Sequence, residues 1–173
     1  MARLRAAKCY REIKRPFTRR SKYKEKSYVG SVPQSKISIY EMGNKNLPYT
    51  HELTLNSKQA LQIRSEALEA ARVVANKYLE KFLPQNFFFQ IKVYPHQIIR
   101  EHSLATGAGA DRFTSGMSKA FGRNIGVAAQ VKEGQEIMIL RVNENSIKIG
   151  KQALERAAKK LPCKCSINIK KIN

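Results

Sequence analysis

The chain is short of the residues that most chemistry needs, with three cysteines, three histidines and thirteen acids in 173 positions. An odd cysteine count does not suit a secreted disulfide framework, so reduced thiols and a cytoplasmic compartment are expected. Cys9, Cys163 and Cys165, with one of His51, His96 or His102, contain enough donors for zinc. A zinc site normally shows paired C-x₂₋₄-C knuckles, however, and there are none, so no metal is expected. His96 and His102 are better read as turn or nucleic-acid-facing residues. No apolar stretch approaches the roughly 20 residues of a membrane helix. The opening MARLRAAKCYREIKRP lacks an apolar h-region, so no secretory signal is expected either.

The same scarcity argues against catalysis. Glu66, Glu69, Glu80, Glu133 and Glu136 fall on expected helix and strand surfaces, not in the cluster that a two-metal nuclease requires. No G-x-x-x-x-G-K-[ST] sequence occurs. Gly107-Ala-Gly109 lacks the third glycine of a dinucleotide loop, because Arg112 stands in its place. Ser115 and Ser118 have no G-x-S-x-G frame. Asp111 is an isolated carboxylate beside Arg112, an ion-pair or turn residue rather than a general base. No catalytic residue, cofactor or small-molecule substrate is expected.

What the chain has in excess is positive charge, and it lies at the ends. Residues 1–30 hold eleven Lys/Arg against Glu12 and Glu25, a net of +9, and residues 148–173 hold eight against Glu155, a net of +7. The 117 residues between carry only +4 of the total +20. Two cationic flanks on an ordinary domain are the footprint of a polyanion binder. Hydrophobic content of 42% still supports a folded core.

Residues 1–35 form a basic arm in which Tyr10, Pro16, Phe17, Tyr23, Tyr28 and Pro33 interrupt the cations. A solvated tail is one reading. An arm that orders on nucleic acid is the other, with Arg3, Arg5, Lys8, Arg11, Lys14, Arg15, Arg19, Arg20, Lys22 and Lys24 on phosphates and the rings on bases.

Residues 36–173 read as one α+β domain. Period-two alternation predicts strands over 36–42, 51–55 and 166–170, and further strands are read over 87–93, 97–101, 125–131 and 137–142. Tyr94-Pro95-His96 turns between 87–93 and 97–101, and Lys132–Glu136 joins 125–131 to 137–142. Asn56, with Gln59 as capping-box partner, predicts a helix start. The helix carries Leu61, Leu68, Ala71, Ala75, Leu79 and Phe82 inward and stops at Pro84. A second helix is predicted over 150–161, with Leu154, Ala157, Ala158 and Leu161 inward and Lys151, Arg156, Lys159 and Lys160 outward. Two helices on one side of a mixed or antiparallel sheet is the expected architecture.

The segment 103–126 is too long and too glycine-rich for an ordinary connection, which makes it a functional loop. Gly107, Gly109, Gly116, Gly122 and Gly126 remove side chains where a backbone must turn or approach a ligand. Arg112, Lys119 and Arg123 supply donors for phosphates or base edges.

Several stretches, in order along nearly the whole chain, resemble one family. They are Cys9-Tyr10-Arg11, Val32-Pro33 before Lys36-Ile37, Ser65 to Arg72 with Ala75 to Tyr78, Val93-Tyr-Pro-His96, Ala108-Gly-Ala-Asp-Arg112 with Thr114-Ser-Gly-Met117, Ala120-Phe-Gly122, and Gly134-Gln135 before Ile137-Met-Ile139. The chain is similar to the archaeal and eukaryotic large-ribosomal-subunit protein of the universal L-sixteen type, the QM family. The resemblance implies a sheet-and-helix sandwich with a β-hammerhead extension, seated in a cleft of large-subunit ribosomal RNA near the peptidyl-transferase centre. It implies ribosomal RNA, A-site tRNA and other large-subunit proteins as partners, in the cytoplasmic ribosome. By position, the tRNA-proximal loop runs from His102 to Met117, with Asp111 and Gly116 within it and Arg112 as its main cation. Residues 17–28 depart from the Pro-rich pattern common in the family. The sequence given stops at Asn173, before the extension of eukaryotic members, which suits an archaeal form.

Without that resemblance, the residues reach as far as a nucleic-acid-binding structural protein with one functional loop. RNA is preferred because no helix-turn-helix, zinc finger or basic zipper presents a recognition helix to DNA. A chromatin-like binder would explain the flanks but not the glycine-rich loop, and an RNA-processing enzyme would need a catalytic group there.

Overall fold

The computed structural model describes residues 8–11, 23, 25, 29–101, 107–109, 112 and 122–172. Within them lie β1 (Glu41–Gly43), β2 (His51–Ser57), β3 (Leu61–Arg64), β4 (Phe88–Ile91), β5 (Gln97–Glu101), β6 (Arg123–Val131), β7 (Glu136–Val142) and β8 (Cys165–Lys171). The two long helices are α2 (Ser65–Phe82) and α3 (Ile147–Ala158), and a single turn, α1 (Lys8–Arg11), lies in the basic arm. The strands form two sheets, one of five in the order β1-β4-β7-β2-β8 and one of three in the order β3-β6-β5. Every pairing is antiparallel, which makes this the expected α+β class, with its strands divided between two sheets.

The sequence explains the layering. Ile137 to Leu140 is an unbroken apolar run, and all four residues are buried. Leu53, Thr54 and Leu55 of neighbouring β2 are buried in succession as well. Consecutive burial requires cover on both faces of the sheet. Gly150 of α3 sits so close to one face that an added Cβ would stand 3.0 Å from Leu140 and 3.4 Å from Leu53. Helix α2 packs on α3 and buries Leu68, Ala71, Ala75 and Leu79, the predicted stripe. Leu61 and Ile63 of β3 and Ala129 and Val131 of β6 join the same core. A second cluster is smaller: Val29, at the end of the arm, is buried against Ile98 and Val127.

Several expectations need correcting. The predicted strand 36–42 shortens to β1; before it, only the Tyr40 carbonyl makes a ladder-like bond, from the Ile91 amide at 2.9 Å. Asn56 caps no helix: it lies in β2, and Ser57 and Gln59 close a small turn (Ser57 Oγ to Gln59 O, 2.6 Å). Leu61 therefore lies in a strand, and α2 begins after Arg64 with no side-chain cap. The two predicted strands flanking Tyr94-Pro95-His96 belong to different sheets, so that segment crosses between sheets instead of closing a hairpin. Finally, β6 begins at Arg123, so residues 123–126 of the expected loop are strand. Phe82, expected inward, is 46% exposed and leans on Tyr78, with ring centroids 4.7 Å apart.

Candidate nucleic-acid interface

Helix α3 divides cleanly. Gly150, Ala153, Leu154 and Ala157 face the core. Lys148, Lys151, Gln152, Glu155 and Arg156 face solvent, followed by exposed Lys159 and Lys160. Cations at a helix C-terminus are favoured by the backbone carbonyls left unbonded there. Lys164 is exposed just before β8, and Lys170 and Lys171 are exposed near its end. All eight cations of the C-terminal flank are thus at the surface, and among the described residues none is in an ion pair.

The middle of the chain behaves oppositely. Four of its ten acids take a cation of the same segment, in the pairs Lys45–Glu41, Arg64–Glu66, Arg72–Glu69 and Arg141–Glu52. The Arg72 fork grips Glu69 twice, at 2.9 and 2.6 Å, and these hydrogen bonds hold the Glu69 carboxyl below the usual carboxylate range. Glu52 lies opposite Lys170 in the β2–β8 register, but its carboxylate takes Arg141 at 2.9 Å. The α3 face and the strand beside it thus carry a dense group of exposed cations that, among the described residues, meets no acid. A surface of this kind can bind successive phosphates, with Arg156 supplying a planar fork. These residues are absent from the sites predicted from sequence. The signal was the +7 of residues 148–173 combined with helical spacing.

The predicted sites are described only in part. In the arm, Lys8 and Arg11 lie in α1, which rests against β3, and Arg11 is exposed. Arg3, Arg5, Lys14, Arg15, Arg19, Arg20, Lys22 and Lys24 lie outside the described residues. In the loop, Gly107 and Gly109 have φ of +140° and +76°, which side chains with a Cβ rarely adopt. The Arg112 amide donates to Gly109 O at 3.0 Å, closing a turn that leaves Arg112 exposed. Arg123 is exposed and pairs in register with Glu101 where β5 and β6 enter the segment. His102, Asp111, Gly116, Met117 and Lys119 lie outside the described residues.

The thiols that could have suggested zinc are also partly visible. Cys163 and Cys165 are free, with sulfurs 3.6 Å apart, and among the described residues no three metal-ligating side chains converge. His51 Nδ1 is 2.8 Å from Thr50 Oγ1 and His96 Nδ1 is 3.1 Å from the Tyr94 carbonyl. Hydrogen bonding from Cys165 brings Cys163 down to about 7, against the effect of burial and with help from Ser57. The same bond, with burial, pushes Cys165 up. Among the described residues, no helix is long and apolar enough to cross a membrane.

Comparison with known proteins places this geometry. The family described as ribosomal protein L16p/L10e matches over residues 13–168. A large ribosomal subunit protein uL16 of Methanococcus maripaludis is 44% identical over 169 residues, covering 97% of this chain and 95% of the relative. The uL16 protein of Archaeoglobus fulgidus is 43% identical over 172 residues (99% and 95%). That of Picrophilus torridus is 49% identical over 150 residues (86% and 85%).

Proposed function

The chain belongs to the ribosomal protein L16p/L10e family, and on that premise we propose that it is a structural constituent of the large subunit of the cytoplasmic ribosome. It is a component of the particle and not an enzyme, and its partners are ribosomal RNA and other large-subunit proteins. One observation carries the RNA-binding part: all eight cations between Lys148 and Lys171 are exposed and, among the described residues, without an acidic partner. Unneutralised charge at this density is costly to the folded state unless a polyanion takes it up.

The finer reading assigns the two remaining segments. The arm, 1–35, holds ribosomal RNA, and its far end is moored where Val29 is buried. The loop, 103–122, approaches the acceptor end of A-site tRNA near the peptidyl-transferase centre and helps position it. The exposed Arg112 beyond the Gly109 turn supports that assignment.

Ultraviolet cross-linking in cells, with sequencing of the RNA joined to each peptide, tests both levels. Large-subunit RNA on peptides spanning 1–30 and 148–171 is expected, with tRNA or catalytic-centre RNA on 103–126. Scattered messenger RNA on all three would overturn the ribosomal assignment. Deleting residues 1–30 is expected to weaken incorporation broadly, while trimming 103–114 leaves incorporation intact and slows tRNA-dependent steps. Blocked incorporation after loop trimming, with normal tRNA function in particles that do assemble, would reverse that division.

A further inference from the structure

Between β4 and β5 the chain crosses from one sheet to the other, and its burial alternates with period two. Ile91, Val93 and Pro95 are buried; Lys92, Tyr94 and His96 are exposed. Three side chains of different chemistry, an ammonium, a phenol and an imidazole, therefore stand in one row on the solvent side. In an extended chain, residues two apart are separated by roughly 6.6 Å. A single nucleotide can then touch the ring with its base and the ammonium with its phosphate.

The central member is unusually exposed for an aromatic, at 62%, yet it is held in place. Its ring stacks on Tyr40, with centroids 5.7 Å apart and planes 27° apart. The following Pro95 is buried, and the imidazole of His96 lies 3.1 Å from the Tyr94 carbonyl. Tyr40 is itself anchored, its carbonyl bonded to the Ile91 amide, while its buried hydroxyl has no hydrogen-bond partner among the described residues. A ring backed by a second ring, with its outer face open to water, has already lost the freedom that stacking would otherwise cost. Such platforms bind bases without regard to sequence, because every base offers a π-face.

We propose that Tyr94, backed by Tyr40 and flanked by Lys92 and His96, is a stacking platform for one unpaired RNA base. The proposal rests on the RNA-binding reading above and names a contact that the cationic flanks do not supply. Phosphate contacts at the flanks hold single and double strands alike. The platform takes only a base that is free of its helix, so it selects single-stranded or bulged RNA.

The test uses the full chain and two probes, an octamer of uridine and a blunt RNA duplex, at about 0.3 M salt to suppress the flanks. Tyr94→Ala is expected to weaken octamer binding about tenfold, with Tyr94→Phe within twofold of the parent and duplex binding unchanged. Because the chain has no tryptophan, Tyr94→Trp adds a single indole at the platform, and its emission, excited selectively above the tyrosine band, should be quenched as the octamer saturates. Octamer binding by Tyr94→Ala equal to that of the parent, or Trp emission unmoved at saturation, would overturn the proposal. A parallel loss of octamer and duplex binding would do so too, by showing a charge or folding effect. Incorporation of the parent chain into large subunits is scored separately. If that succeeds while Tyr94→Ala is silent, the platform fails and the ribosomal assignment stands. If the parent never enters the subunit, the assignment fails first.

Discussion

Arg156 of α3 holds its guanidinium carbon 4.1 Å from the centre of the Tyr78 ring on α2. The Tyr78 hydroxyl in turn donates to Gln152, one turn earlier on α3. One tyrosine thus ties the two helices along their exposed seam and fixes the orientation of a cation in the basic face. The interaction is worth about 0.5–1 kcal/mol for the cation on the ring and about 1 kcal/mol for the hydrogen bond. Tyr78→Phe should therefore lower stability by less than about 1 kcal/mol, and Tyr78→Ala by roughly 2 kcal/mol, since it also strips Phe82 of its ring contact. Urea denaturation at high salt, with both variants side by side, reads the difference; equal losses would show that the ring face contributes nothing.

Replacing Lys148, Lys151, Lys159 and Lys160 together with glutamine should leave the melting temperature nearly unchanged, because all four are exposed and, among the described residues, in no ion pair. The slope of log K against log salt for large-subunit RNA should fall in magnitude by about 3, at 0.7–0.9 per phosphate contact. An unchanged slope would mean that this face does not meet RNA.

Gly43→Ala should be among the most damaging single changes in the domain. Gly43 has φ of +82°, and an added Cβ would stand 2.1 Å from the Phe87 carbonyl oxygen, a backbone atom that cannot rotate away. The expected loss is at least about 2 kcal/mol from the conformation and the clash together, visible as a drop in thermal midpoint. Gly134→Ala shares the positive φ but meets nothing within 4 Å, so it should cost only about 1 kcal/mol. If the two variants melt together, the close approach at Phe87 is not what matters.

How much of this was legible in the sequence depends on how far away each partner lies. The α3 stripe carries its own period and Ile137–Leu140 is continuously apolar, so both elements form, β7 where it was expected and α3 over 147–158, three residues ahead of the predicted 150–161. The helix start at Asn56 fails because the cap signature is real but is used elsewhere. Ser57 bonds Gln59 in a turn, and Leu61-x-Ile63 alternates as a strand whose partner, Ala128 to Val131, lies more than sixty residues on. Nothing local announces that pairing. The strand at 36–42 fails for the complementary reason: it alternates correctly, but only its last two residues, with Gly43, find β4. At the candidate site, the charge of residues 148–173 was plain, while its lack of acidic partners was not. That property depends on Glu52 being claimed by Arg141, 89 residues away.

The two neighbouring thiols should react differently. Cys163, brought down from the ordinary thiol value near 9 to about 7, should alkylate with iodoacetamide with a midpoint near pH 7, while Cys165, pushed up by the same hydrogen bond, stays protected. Because the folded value is the lower one, the thiolate's contribution to stability is complete above pH 9. It is lost as pH falls through 7. Cys163→Ser should flatten the stability profile across that window. Identical alkylation midpoints for the two cysteines, measured by peptide mass spectrometry, would remove the asymmetry.

The order in which the strands arrive has a consequence for how the molecule is made. In the five-stranded sheet, β7 lies between β4 and β2, yet it follows both in the chain. Until the polypeptide has been polymerised through Val142, β2 has no neighbour, and Leu53 and Leu55, completely covered in the finished fold, stand in water. Cotranslational folding can assemble α2 and the β1–β4 ladder, but the central layer must wait for a late strand. Long-range antiparallel closure of this kind is slow and leaves sticky edges open meanwhile. A nascent chain that is both unfinished and strongly cationic, in a cell crowded with RNA, has to be shielded on two counts: its apolar strand from other proteins, and its lysines from the wrong nucleic acid.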